Sequence, residues 1–176
     1  MGYTPPDTVT GSSVLTAALW NQQVRDNEEW LRKRPMCQVH RLTTWTASGT
    51  AISWTTTAAF DTDSMFSSAT PTRITFKTAG IYSISSYIVA VGAANWSLAQ
   101  TQYWLNGSLF FVSNHTESTA AASYSVEAQT VIDAAANDYI EANVALTGTT
   151  LASVTGNTLT SPLRSRLTVT MLGQKS

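Results

Sequence analysis

Apolar residues recur in two rhythms along this chain. Between residues 14 and 34 they return every three or four positions; from residue 36 onwards they mostly return every second one. The first rhythm predicts a helix and the second half-buried β-strands. Pro5, Pro6, Gly11, Ser12 and Ser13 break any regular pattern before the helix, so residues 1–13 read as an extended arm. The chain thus divides into an arm (1–13), a helix (14–35) and a β-rich region (36–176).

The helical stretch runs without Gly or Pro from Leu15 to Arg34 and stops at Pro35. Ser13 and Thr16 are both placed to cap its start by accepting an orphan backbone N–H. Glu28 with Arg32 and Glu29 with Lys33 form i,i+4 pairs, and Arg32, Lys33 and Arg34 complement the helix dipole. Ala17, Trp20, Val24, Asn27 and Leu31 follow 3-4-3-4 spacing, a short coiled-coil seam with one polar position. A helix of this length is marginal alone in water and needs a surface. The stripe serves either self-association and docking on another protein, or packing on the chain's own β-region.

Beyond residue 36, strands are predicted at 37–43, 51–54, 72–77, 82–91, 98–105, 109–113, 122–132, 139–146, 150–154 and 163–172. In the seventies, Ile74 and Phe76 alternate with Arg73 and Thr75; later, Ile140, Ala142, Val144 and Leu146 alternate with Tyr139, Glu141, Asn143 and Ala145. Turn signals separate the strands, and Asn106-Gly107 is the strongest, a two-residue hairpin. Many short strands with regular breaks predict an antiparallel sandwich or jelly roll.

Composition narrows the function. Hydrophobic residues make up 43% of the 176, enough for a core, while charged residues are only 12% and the net charge is -1. No long basic stretch is present, which argues against nucleic acid as a partner. No apolar window approaches the length of a membrane-spanning helix, so no membrane insertion is expected. The single cysteine, Cys37, excludes an intrachain disulfide. Residues 1–10 lack the basic-then-apolar order of a secretory leader, so an extracellular role implies release by lysis, as for virus particles.

Two segments carry family resemblances. Val14-Leu15-Thr16-Ala17-Ala18-Leu19 with Asn21, then Val24-Arg25-Asp26-Asn27 and Leu31, resembles an N-terminal segment of minor structural proteins of tailed bacteriophages. Phe60-Asp61-Thr62-Asp63-Ser64-Met65-Phe66, Pro71-Thr72-Arg73-Ile74-Thr75-Phe76, Ala79-Gly80-Ile81-Tyr82-Ser83-Ile84-Ser85 and Leu105-Asn106-Gly107 resemble the jelly roll of tumour-necrosis-factor-like and complement-head domains. Asn137-Asp138-Tyr139-Ile140-Glu141-Ala142 is similar to a later strand of that family that usually opens with Gly-Asp; here Asn137 holds the glycine position. The resemblance implies a mainly β fold, an antiparallel jelly-roll sandwich preceded by the arm and one N-terminal helix, and a homotrimer. Trp45, Trp54, Tyr82, Tyr87, Trp96, Tyr103, Trp104, Phe110 and Phe111 supply aromatic bulk for a threefold axis or for an ordinary core.

Candidate chemistry is sparse. His40 and His115 lie far apart in sequence without metal-ligand spacing, and Cys37 has no local nucleophile motif. Asp61 and Asp63 form a D-x-D that suits a turn, a calcium site or an acid–base pair. Three glycosylation-type sequons, at Asn95, Asn106 and Asn114, are expected to be unmodified. Asn95, Trp96 and Asn114 form the candidate glycan contact, with a plain solvent-facing loop as the alternative. No catalytic residue, cofactor or metal is expected. The combined expectation is a non-enzymatic virion protein. Residues 1–35 attach it to other tail or capsid proteins and the head touches the host surface. The alternatives are a capsid decoration or head-fibre protein and a tail-borne polysaccharide hydrolase.

Overall fold

A computed structural model of the chain describes residues 16–46, 51–55, 60–92, 98–115, 123–147, 151–154 and 165–174. It divides into two compact units, Met1–Arg34 and Pro35–Ser176. The arm and Ser13 lie outside the described residues.

In the first unit the cap is Thr16, whose Oγ1 accepts the Leu19 N–H at 3.2 Å. The helix it opens is not uniform. α1 (Ala17–Trp20) passes into a π turn (Asn21–Arg25) and then into α2 (Asp26–Arg32). The Asp26 N–H reaches back to the Asn21 carbonyl, five residues away, so this turn is wider than an α turn. Lys33 pairs with Glu29 at 2.5 Å, as the i,i+4 spacing predicts. Glu28 and Arg32 are in none of the ion pairs among the described residues; Arg25 pairs instead with its neighbour Asp26 at 3.1 Å.

The second unit is an antiparallel jelly-roll sandwich. One sheet contains β1 (Met36–His40), β2 (Trp45–Thr46), β3 (Phe60–Asp61), β5 (Gly80–Gly92), β8 (Ser123–Ala134), β10 (Leu151–Val154) and β11 (Arg166–Gln174). The other contains β4 (Arg73–Thr75), β9 (Tyr139–Thr147), β6 (Leu98–Leu105) and β7 (Ser108–His115), in that order. In the larger sheet β5 is central, with β8 on one side and β11 and β10 on the other; β11 in turn pairs with β1. The first and last strands are therefore neighbours, a connection no local pattern specifies.

The core lies between the sheets. Tyr82, Ile84 and Ile88 from β5, Leu167, Val169 and Met171 from β11, and Cys37 and Val39 from β1 are fully buried, as are Ile74 and Phe76, Ile140 and Ala142, and Tyr103 from the opposite side. Their period-two spacing puts them on one face of each strand. Gly80 is needed where β5 meets the end of β11. A Cβ there would lie 2.5 Å from the Gly173 carbonyl oxygen and 2.5 Å from the Met171 methyl.

One predicted strand is absent. Ala51–Trp54 forms no ladder; Ile52 N–H donates to Ala142, Trp54 N–H to Pro71 and Thr55 N–H to His40, three different partners. Its apolar alternation is real, since Ile52 and Trp54 are buried. That alternation reports burial rather than strand pairing. Arg41, itself buried, holds the same segment: its guanidinium donates to the Ser53 carbonyl and, at 2.7 Å, to the Thr43 carbonyl. Trp45–Thr46 and Phe60–Asp61 were too short for the periodicity to reveal.

Candidate functional site

Each expected site residue has a definite place, except those outside the described residues. On the helix, Trp20 and Leu31 are each 53% exposed, Ala17 is exposed, and Val24 and Asn27 are half-buried. The π turn lies between the two exposed apolar residues, so they do not share the straight stripe that α-helical spacing alone would draw. The one buried residue of α2 is Trp30, off that stripe, with the Arg34 guanidinium 5.6 Å from its ring.

Of the glycan candidates, Asn95 and Trp96 lie outside the described residues. Asn114 is exposed near the end of β7, and its Oδ1 accepts from Gln100 Nε2 at 3.0 Å. Asp61 uses its carboxylate on backbone: Oδ1 accepts the Met65 N–H and Oδ2 the Phe66 N–H, both at 2.9 Å. Asp63 accepts the Thr78 hydroxyl at 3.1 Å. The D-x-D therefore organises a turn, in which Ser64 takes a positive φ of 52°. His40 is buried on β1, and His115 Nε2 sits 2.7 Å from the Glu127 carbonyl. Burial, with the Asp61 charge as a lesser cause, pushes the Cys37 thiol up to about 12, so it stays protonated and a poor nucleophile at neutral pH.

Three loops are tied together at one end of the sandwich. Asn106 and Gly107 have φ of 51° and 79°, the left-handed pair that a type I′ hairpin demands. Asn106 Nδ2 donates to Asp138 at 2.8 Å, while its Oδ1 accepts the Tyr139 N–H at 2.9 Å. Asp138 also accepts the Ala135 N–H at 2.8 Å. Asn137, at φ 72°, stands where glycine is usual because asparagine tolerates this conformation. Its N–H donates to the Phe76 carbonyl at 2.7 Å.

The feature that sequence reading missed is on the outward face of the larger sheet. Arg166 lies opposite Tyr87 across β11 and β5, and Tyr87 opposite Glu127 across β5 and β8. The next row along is Gln38, Thr168, Ser85 and Gln129. A recess of about 300 Å³ opens over these rows, lined by Ser85, Tyr87, Glu127, Gln129, Arg166 and Thr168 and edged by Ser86, Ala128 and Ser113. The Arg166 guanidinium stands 4.9 Å from the Tyr87 ring. Arg166 and Glu127 flank that ring and pair with no described ionic partner. Alternation along each strand predicts that these three point outward; only the sheet topology makes them neighbours.

No protein-family model matches the sequence, and no curated protein matches it. Solved structures do. The globular domain of zebrafish complement 1qA protein is similar with a TM-score of 0.60 at 11% identity, over 81% of this chain and 100% of that one. Eiger TNF from S. frugiperda gives 0.59 at 12% identity, over 81% and 96%. Murine APRIL gives 0.54 at 13% identity, over 78% and 99%. At these identities the likeness is one of fold. The Pro35–Ser176 unit shares its jelly-roll fold with these domains.

Proposed function

We propose that this chain is a non-enzymatic structural appendage of a tailed bacteriophage particle. Residues 1–35 attach it to other virion proteins. The jelly-roll head projects as a homotrimer and meets the host surface, with surface glycan as the candidate receptor. The observation that carries the reading is the division of labour between the two units. The helical unit leaves Trp20 and Leu31 largely uncovered, as an attachment element would, while the head is a closed sandwich with its own core. The phage-like segment Thr16-Ala17-Ala18-Leu19 with Arg25-Asp26-Asn27 falls on that same helix. The jelly-roll neighbours support a design built around a self-associating head.

Two measurements test it. Mass spectrometry of purified particles from the genome encoding this chain should find it, and its absence would sink the virion reading. Antibody labelling then separates tail from capsid decoration. Light scattering of the full chain and of a chain starting at Met36 should give trimers of the full chain. Monomers in both cases would remove the trimeric head.

A further inference from the structure

We infer that the outward face of the smaller sheet is a binding site for an uncharged oligosaccharide. Trp104 is its stacking platform, and the side-chain amides of Gln102, Gln100 and Asn114 read the sugar hydroxyls. The inference rests on the glycan-receptor reading proposed above and assigns it to residues other than Asn95 and Trp96.

Strand β6 lies between β9 and β7, so its backbone groups are spent on both neighbours and its side chains are what a ligand can meet. Ala99, Thr101 and Tyr103 turn inward and are fully buried; Gln100, Gln102 and Trp104 alternate with them, turn outward and are half-buried. Hydrogen bonds join the outward side chains in one direction. Trp104 Nε1 donates to Gln102 Oε1 at 3.3 Å, Gln102 Nε2 to Gln100 Oε1 at 3.2 Å, and Gln100 Nε2 to Asn114 Oδ1 on β7 at 3.0 Å. From Trp104 to Gln100 the row runs about 13 Å along the strand. Within it each glutamine uses one N–H and one lone pair, and a primary amide carries two of each. The second donor and acceptor of each are left for a ligand, on side chains the row already holds in place.

The charges beside this row neutralise each other. Glu141, opposite Trp104 on β9, accepts from the Arg73 guanidinium at 3.2 Å and from the Thr72 hydroxyl at 2.7 Å, while Arg73 lies 4.0 Å over the Tyr139 ring. Among the Asp, Glu, Lys and Arg residues, Arg73 and Glu141 are those on the four strands of this sheet, and they are spent on one another. Such a face suits a neutral ligand, whereas nucleic acid or an acidic polymer needs cations left over. A sugar hydroxyl both donates and accepts, as the remaining amide positions do, and the C–H face of a pyranose meets the negative face of an indole ring. Leu109, paired with Trp104 across β7 and 50% exposed, widens the apolar end of the platform. Ring at one end and amides along the strand fix a short chain of sugars lying along β6.

The test is calorimetric titration of the full chain with neutral gluco-, galacto- and manno-oligosaccharides, with polygalacturonate as the acidic control. At least one neutral series should bind saturably and the acidic polymer should not. Trp104→Ala should weaken that binding at least about tenfold, and Trp104→Phe should keep part of it. Gln102→Ala and Gln100→Ala should each weaken it about three- to tenfold. These two change solvent-facing amides, so they carry the test even if circular dichroism shows that Trp104→Ala misfolds. Trp96→Ala should bind like the native chain. Binding that survives Trp104→Ala and Gln102→Ala but is lost in Trp96→Ala would overturn this site and leave glycan as the receptor class. Binding of polygalacturonate alone would likewise keep a glycan receptor and overturn the uncharged ligand. A native chain that binds no saccharide would remove the glycan reading and this inference together. Host-cell adhesion that is abolished by Trp104→Ala and by protease treatment of the cells, with no saccharide bound, would make the face a protein-binding one and overturn the assignment.

Discussion

The two faces of strand β5 treat polar groups in opposite ways. Inward, Ser86 sits among Ile84 and Ile88, and its hydroxyl accepts from Tyr103 at 2.7 Å; the same Tyr103 hydroxyl lies 2.9 Å from the Ala128 carbonyl. Tyr82 likewise closes on the Thr78 carbonyl at 2.6 Å. Outward, Ser85, Tyr87 and their row partners Glu127 and Arg166 line an open recess. A buried polar group must find its partner inside the fold, so the inward ones pin register: a one-residue slip would send Ser86 and both isoleucines to the wrong side. Outward groups carry no such obligation, because water can satisfy them. The same backbone therefore fixes register through one face and leaves polar and charged side chains open to solvent on the other.

The sharpest way to break that comparison is to empty the inward face. Tyr103→Ala, which removes the β6 ring packed against the inward face of β5, should destabilise the sandwich by about 3–5 kcal/mol, whereas Tyr87→Ala, on the outward face of β5, should cost under about 1 kcal/mol in dilute solution; chemical denaturation of both variants compares the faces directly. Gly80→Ala comes next. Its Cβ would press on the Gly173 carbonyl and should cost about 1–3 kcal/mol, seen as a lower thermal midpoint. Tyr103→Phe keeps the ring, which stacks on Phe111 at 5.7 Å, and removes only the hydroxyl shared with Ser86 and Ala128; about 1–2 kcal/mol should be lost. Asp138→Ala should lower stability by a similar amount, and faster amide exchange should be confined to the loops at Asn106 and Ala135.

The smallest effect is one of pH. The Cys37 thiol is held at about 12 when folded against an ordinary value of 9.0, so the folded state keeps the proton longer. Its contribution is complete below pH 9 and is lost as pH rises through about 12. Burial also raises Tyr82 and Tyr103, in the same direction, from their ordinary value of 10.0. Cys37→Ala should therefore flatten the decline in stability between pH 9 and 10, where the thiol acts before the phenols, and an unchanged slope would show that the thiol is not buried as described.

Local rules were legible where local chemistry decides. Strand β6 runs over Leu98–Leu105 as the alternation predicts, and Asn106-Gly107 makes the two-residue turn that its residue types demand. Thr16 caps the helix, and Glu29 meets Lys33. The π turn at Asn21–Arg25 was not legible, because the seam argument assumes α spacing throughout. Ala51–Trp54 misled for a related reason: alternating burial also arises when an extended segment is held by single bonds to several neighbours.

By itself the sequence determined the period of each segment, the faces that turn inward, the caps and the turns, since these depend on residues within a few positions of one another. Only the tertiary structure decided that β1 lies beside β11, that β5 separates β11 from β8, and that Arg166, Tyr87 and Glu127 therefore form one row. The reason is physical: alternation states which way a side chain points, whereas which strand lies beside it is settled by long-range pairing, and that adjacency is what turns three scattered residues into a surface.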